Sequence, residues 1–266
     1  MNIGPLELRA YGIMIALGVI ASVWLAGKRY EERGHDGERM ATIAMWSVPA
    51  GVVGARIYHV ITDNQRFRGN WGEALKVWEG GLGVWGGVAA GVLTAIWLMR
   101  RRGWDVPDGL DAAAPAIPLA QAIGRVGNWF NQELFGGPTS LPWALEIDEA
   151  HRPTQYLDEP TFHPTFLYES VWNLAVVAAI IWVVPRLLTN LRRGYLLAAY
   201  VLLYTIGRLW IELVRIDTAS EIFGVRVNVF TSIILGSGAA FVLWLGTRGG
   251  QGDDEQAGPD VSMTNV

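Results

Sequence analysis

The sequence predicts an all-α integral membrane protein with seven transmembrane helices. Three observations carry that reading. Half of the chain is hydrophobic (51%) against 17% charged residues, and the mean hydropathy is +0.25. Thirteen Trp and thirty-two Gly are many for 266 residues. Aromatic rings favour the membrane–water interface, and glycine lets membrane helices approach closely. Last, mostly apolar stretches of about 20 residues, the length that crosses a bilayer, recur seven times.

In chain order the spans are expected at about 8–27, 41–62, 80–99, 110–131, 165–185, 195–214 and 227–247. The first has no basic leader; Lys28 and Arg29 follow it, so it is read as a retained span and not a cleaved signal peptide. The second carries Arg56 and His59, a snorkelling arginine and an interfacial histidine or part of a site. The third is glycine-rich, as in a tightly packed central helix. The fourth is interrupted by Pro115 and Pro118, which neighbouring helices or water can accommodate. Residues 1–248 are expected to form one membrane domain, and the polar tail 249–266 to be disordered.

Orientation follows from the basic loops. Lys28, Arg29, Arg33 and Arg39, then Arg100 to Arg102, then Arg186, Arg192 and Arg193, and finally Arg248 form the richer set, close to the span ends. Placing that set in the cytoplasm puts the N-terminus outside and the C-terminus inside, as an odd span count requires. The long segment between spans 4 and 5, about 132–164, is then extracytoplasmic.

Composition also excludes some chemistries. With no cysteine, the chain has no disulfide, thiol nucleophile or cysteine metal site. The formal charge of −4 reflects Asp253, Asp254, Glu255 and Asp260 in the tail, and nothing marks a nucleic-acid surface. No HExxH motif and no paired His/Asp cluster is visible, so neither a metal nor another cofactor is expected. No inverted duplication and no intramembrane serine–histidine or aspartate pair supports a repeat-built transporter or an intramembrane protease. A transporter for an anionic solute is the alternative that would use the same arginines.

Ionisable groups within spans are costly and mark function. In YTIGRLWIELVR, Tyr204, Arg208, Glu212 and Arg215 are spaced by four, four and three residues, one stripe of a helix. An Arg208–Glu212 pair alone would be structural; a second arginine calls for an anion. In GRVGNWFNQELFGGP, residues 124–138, Arg125 and Asn128 lie one turn apart near the outer end of span 4, followed by Asn131 and Glu133. Arginine suits a phosphate, because its planar fork stays charged in low dielectric.

GRVGNWFNQELFG resembles the signature of the bacterial prolipoprotein diacylglyceryl transferases. HPTFLYES (163–170) resembles the family's second hallmark, VWEGGLGVWGG (77–87) its third span, LRAYGIMIALG its first and YTIGRLWIELVR its sixth. The resemblance implies a seven-span enzyme of the bacterial cytoplasmic (inner) membrane. Its substrates would be phosphatidylglycerol and prolipoprotein signal peptides with a lipobox cysteine; glycerol phosphate would leave and a thioether form. It implies roles in activity or lipid binding for Tyr11, Arg125, Asn128, Glu133, Gly136, Tyr204, Arg208 and Glu212. Asn131 and Arg215 join the phosphatidylglycerol-binding set, and His163 is a candidate base or relay. Glu133 and Glu212 either anchor arginines or take the thiol proton. Tyr168 and Glu169 are expected to pack or hydrogen-bond within span 5. One position departs: the family's third-span histidine is Trp85 here. Either His59 or His163 substitutes for it, or the base is no histidine.

Overall fold

A computed structural model describes residues 2–3, 6–7, 10–67, 69–76, 80–217 and 221–248. The 249–266 tail, Arg9, Arg68 and residues 77–79 of the glycine-rich motif lie outside the described residues. The chain is predominantly helical: α1 (Ala10–Glu31), α2 (Glu38–Thr62), α3 (Val84–Arg101), α4 (Val106–Asn131), α5 (Thr165–Ala178), α6 (Val184–Leu187), α7 (Leu196–Glu212) and α8 (Val227–Arg248). Three two-residue antiparallel ladders accompany them, β1–β2 (Asn2–Ile3, Leu6–Glu7), β3–β4 (Leu145–Glu146, Thr161–Phe162) and β5–β6 (Glu221–Ile222, Val225–Arg226). Four helices among the described residues are long and apolar enough to cross a membrane: α1, α2, Thr165–Leu187 and α8. In α4, Asp108, Asp111 and Arg125 lower the hydropathy, and α7 is only 17 residues long.

The chain divides into two compact units, Ala26–Gly109 and Met1–Leu25 with Leu110–Val266. In the first, α2 and α3 meet through glycine. A Cβ at Gly54 would stand 2.3 Å from Ala90 Cβ, and one at Gly86 would stand 2.3 Å from the Gly54 carbonyl oxygen. The expected close packing of the third span is thus present, but its helix starts at Val84, not at 80. Gly80 and Gly81 instead take positive φ (86° and 70°) and present their carbonyls to Arg56. Arg56 is 8% exposed and donates to the carbonyls of Glu73, Ala74, Gly80 and Gly81 at 2.5–3.1 Å. It therefore holds the 73–81 segment by satisfying backbone acceptors.

In the second unit, α4 runs unbroken through Pro115 and Pro118. Its small residues permit close contact: a Cβ on Gly18 of α1 would lie 2.9 Å from the Ala120 carbonyl oxygen. Ala114, Val176, Ile180, Leu196 and Tyr200 form a core between α4, the α5 region and α7. The fifth span passes through a π-turn at Ala179–Val183 before α6, an interruption its apolar sequence does not signal. The 132–164 segment has its own small core of Phe135, Ile147 and Phe162 beneath the β3–β4 ladder. Arg152 ties it by donating to the Ile147 and Leu157 carbonyls, each at 2.8 Å.

Candidate functional site

The second unit gathers charge around one carboxylate. Glu169, on the first turns of α5, is 4% exposed. Its Oε2 lies 2.5 Å from Arg125 Nη2 of α4, and its Oε1 is 3.3 Å from Arg208 Nη1 of α7 and 3.0 Å from Arg215 Nη1. Three arginines distant in sequence thus converge on a residue expected only to pack within its span. Sequence reasoning passed it over, although a carboxylate inside an apolar segment was itself the signal.

The expected Arg208–Glu212 pair is present at 2.7 Å, and Glu212 also meets Arg226 at 3.2 Å and accepts from Asn228 at 3.1 Å. Arg215 does not continue the α7 stripe, because the helix ends at Glu212. It sits in the following turn, bridged by backbone to Gly136. A Cβ on Gly136 would come within 2.8 Å of the Val214 carbonyl oxygen, so glycine is what allows the bridge. Arg215 is bound by Glu169 and, at 2.6 Å, by Asp217; its side chain is 5% exposed. Burial alone would raise the Asp217 carboxyl, but the hydrogen bond and charge of Arg215, with Arg226 nearby, hold it below the usual carboxylate value. Asp217, Arg226 and Asn228 are further members that sequence reasoning missed.

The charge count decides what this network can do. Four guanidinium groups (Arg125, Arg208, Arg215, Arg226) face three carboxylates (Glu169, Glu212, Asp217), leaving one positive charge in excess. The most open of the four is Arg125, with 25% of its side chain exposed. It lines a cleft of about 390 Å³ with Tyr11, Ile15, Val19, Ala120, Gln121, Gly124 and Asn128. Tyr11 packs flush on α4, where a Cβ at Gly127 would lie 2.7 Å from its ring. Its lining joins a cation and amides (Arg125, Asn128, Gln121) to apolar side chains (Ile15, Val19, Ala120).

Asn128 and Asn131 do not point to an arginine. Each donates to Glu133 Oε1 at 2.9 Å, so they orient that carboxylate. Glu133 sits between two non-glycine residues of positive φ, Gln132 (48°) and Leu134 (57°), a strained turn of the kind found at functional sites. Side chains hold it in place. Gln132 Nε2 donates to Asp148 Oδ2 at 2.6 Å while its Oε1 accepts from the Asp148 backbone at 2.7 Å, and Thr165 Oγ1 donates to the Leu134 carbonyl at 2.6 Å.

Tyr204 borders a void of about 10 Å³ with Glu169, Asn173 and Arg208, room for a single water. His163 precedes α5 instead of starting it. Its Nδ1 is 3.0 Å from the Tyr168 hydroxyl, which accepts from Trp143 Nε1 at 2.8 Å, a chain separate from the arginine contacts. In the other unit, His59 lies 3.9 Å from the Asp63 carboxylate and edge-on to Phe67, while Trp85 is half exposed at the start of α3. The sequence shows no His/Asp cluster, yet His35, Asp105 and Asp108 come within 4.8 Å of one another. His35 pairs with Asp108 at 2.7 Å and Arg33 stands 3.8 Å from it, the arrangement of an ion-pair network.

The sequence has relatives. The family model described as prolipoprotein diacylglyceryl transferase matches residues 1–245. A Frankia alni protein named phosphatidylglycerol–prolipoprotein diacylglyceryl transferase is 51% identical over 98% of this chain and 67% of its own length. A Streptomyces coelicolor protein of that name, numbered 2, is 50% identical over 91% of this chain and 77% of its own. The Cutibacterium acnes protein of that name is 45% identical over 97% and 88%.

Proposed function

Because the chain belongs to the prolipoprotein diacylglyceryl transferase family, we propose that it moves the diacylglyceryl group of phosphatidylglycerol onto the lipobox cysteine thiol of prolipoproteins, in the bacterial cytoplasmic membrane. Seven spans serve it, with α5 to α6 counted as one; the N-terminus is outside and the C-terminus in the cytoplasm. Residues 1–248 form the catalytic membrane domain and 249–266 a tail. The observation that carries this reading is the network's one surplus positive charge, its most exposed arginine, Arg125, lining a cleft whose other walls include Ile15, Val19 and Ala120. A phospholipid complements both. Its phosphate belongs at Arg125, with Tyr11 and Asn128 beside it, and its acyl chains along Ile15, Val19 and Ala120.

The sulfur attacks the glycerol carbon that bears the phosphate oxygen. A carbon–sulfur bond forms and the carbon–oxygen bond breaks, its electron pair remaining on the departing glycerol phosphate. Negative charge grows beside Arg125, whose guanidinium is preorganised by Glu169. Arg208 adds to the field, and Glu212 with Arg215 fixes its frame. The thiol proton goes to Glu133. Glu169, Glu212 and Asp217 are each held by arginines, so protonating any of them would undo ion pairs, whereas the described contacts of the Glu133 carboxylate are with the Asn128 and Asn131 amides. With Trp85 in the third-span motif, no imidazole at that position takes part.

The test is glycerol phosphate release from phosphatidylglycerol vesicles supplied with a lipobox peptide. Arg125→Ala should lower the rate by about 100-fold or more while the protein stays folded, and Arg125→Lys should fall between, keeping charge but losing the fork. Unchanged release from the alanine variant would remove Arg125 from the site. A wild-type protein that releases nothing but passes an anionic solute across vesicles would overturn the whole reading.

A further inference from the structure

The reaction must bring two unlike molecules to one carbon, and the cleft at Arg125 accounts for only the lipid. On the other side of Glu133 lies a second groove of about 390 Å³, lined by Asn131, Gln132, Glu133, Leu134, Phe135, His151, Pro153, Ile216 and Asp217. The two hollows have different chemistry. No arginine or lysine lines the groove, and its lining includes two carboxylates, Glu133 and Asp217, against one histidine, His151, so it suits no phosphate. It mixes carboxylate and amide acceptors with Leu134, Phe135, Pro153 and Ile216, the lining that receives an extended polypeptide through backbone N–H donors and small side chains.

Its position argues for the same occupant. Apart from Asn131, the last residue of α4, the groove is built from the turn that follows α7 and from the 132–164 segment. A chain leaving the bilayer after a membrane-buried stretch would enter there. One hydrogen bond joins the two hollows: Asn128, which lines the lipid cleft, donates at 2.9 Å to the carboxylate of Glu133, which lines the groove. The segment that carries Glu133 is rigid, because the strained 132–134 turn is fixed by the reciprocal Gln132–Asp148 pair and by Thr165.

We infer that this groove seats the polypeptide substrate's residues immediately following its cysteine, and so aims the thiol at Glu133 with the lipid on the far side. The inference rests on the transferase reading. The experiment uses the full-length protein in phosphatidylglycerol vesicles with two peptides that share one signal segment. One ends at the cysteine and the other continues for several residues. The wild type should show a lower KM for the longer peptide. His151→Trp, at an exposed position on the groove rim, should raise KM for the longer peptide by about tenfold and leave kcat, the KM of the short peptide and the KM of phosphatidylglycerol unchanged. The short peptide doubles as the folding control. Equal KM for both peptides in the wild type, or an equal rise for both in the variant, would overturn the groove assignment while turnover continues. Failure of the transferase reading looks different: neither peptide releases glycerol phosphate.

Discussion

At the scale of single residues, the site depends on Glu169. Arg125, Arg208 and Arg215 come from a helix end, a helix interior and a turn, and Glu169 is the atom set they share. Replacing it with Gln removes one of three carboxylates and leaves two surplus positive charges in a buried setting. Breaking a buried pair from one side costs about 3 kcal/mol or more. Glu169→Gln should therefore lower the thermal midpoint in detergent by several degrees and also cut transfer by about 100-fold, since Arg125 loses its orienting partner. Wild-type turnover in that variant would end the hub role. Asp217 gives a pH signature. Its folded-state pKa is depressed, so it stabilises the protein above the ordinary carboxylate value, and that contribution disappears as pH falls through the lower folded value. Unfolding midpoints followed downward from neutral pH should thus fall less steeply below about pH 4 for Asp217→Asn than for the wild type. Identical profiles would show that the Arg215–Asp217 contact adds nothing. Arg125, Asn128, Arg208, Glu133 and Glu212 were legible in sequence because polar groups in apolar surroundings stand out. Glu169 obeyed the same rule, but its importance comes from partners 39 to 46 residues away, for Arg208 and Arg215, which no local pattern encodes.

At the scale of elements, hydropathy located each long helix among the described residues and several of their ends, but not all of them. The third begins late because Gly80 and Gly81 are spent on carrying carbonyls to Arg56, and the sixth stops at Glu212 because the chain must turn to place Arg215 against Gly136. Both ends are set by contacts between distant segments, and the 132–138 turn likewise takes its shape from Asp148 and Thr165. What glycine richness did reveal is the α2–α3 contact. Gly54 has Ala90 Cβ and the Gly86 carbonyl where its own Cβ would go, at 2.3 and 2.5 Å, and backbone cannot step aside as a flexible side chain can. Gly54→Val should force the helices apart and cost about 1–3 kcal/mol. Thermal unfolding would register it as a lowered midpoint, with Gly12→Ala as the control, since nothing lies within 4 Å of a Cβ there. Equal midpoints for the two variants would mean that the helices do not meet as described.

At the scale of the whole molecule, the arginines are held in place by carboxylates, backbone carbonyls and aromatic rings. Several arginines within spans or in the loops opposite the cytoplasmic set are engaged internally: Arg125, Arg208, Arg215 and Arg226 with carboxylates, Arg56 and Arg152 with backbone carbonyls. In the set assigned to the cytoplasm, four arginines stack on tryptophan, Arg39 and Arg102 on Trp104, Arg101 on Trp97 and Arg248 on Trp244, while Arg29, Arg33 and Arg39 face the carboxylates of Glu32, Asp108 and Asp36. Tryptophan belts and flanking cations mark the water boundary of a bilayer, and the orientation rule counts the Lys and Arg residues of short loops near the span ends. The orientation proposed above, an external N-terminus with the 132–164 segment outside, rests on the count of basic residues in the loops. The absence of cysteine makes this directly measurable. Glu159→Cys and Thr189→Cys each place one thiol at an exposed loop position, the first after α4 and the second before α7. In intact cells a membrane-impermeant maleimide should label the first and reach the second only after permeabilisation. The reverse pattern would invert the molecule and put the Arg125 cleft on the side where signal peptides begin their crossing; labelling of both in intact cells would break the odd count of spans.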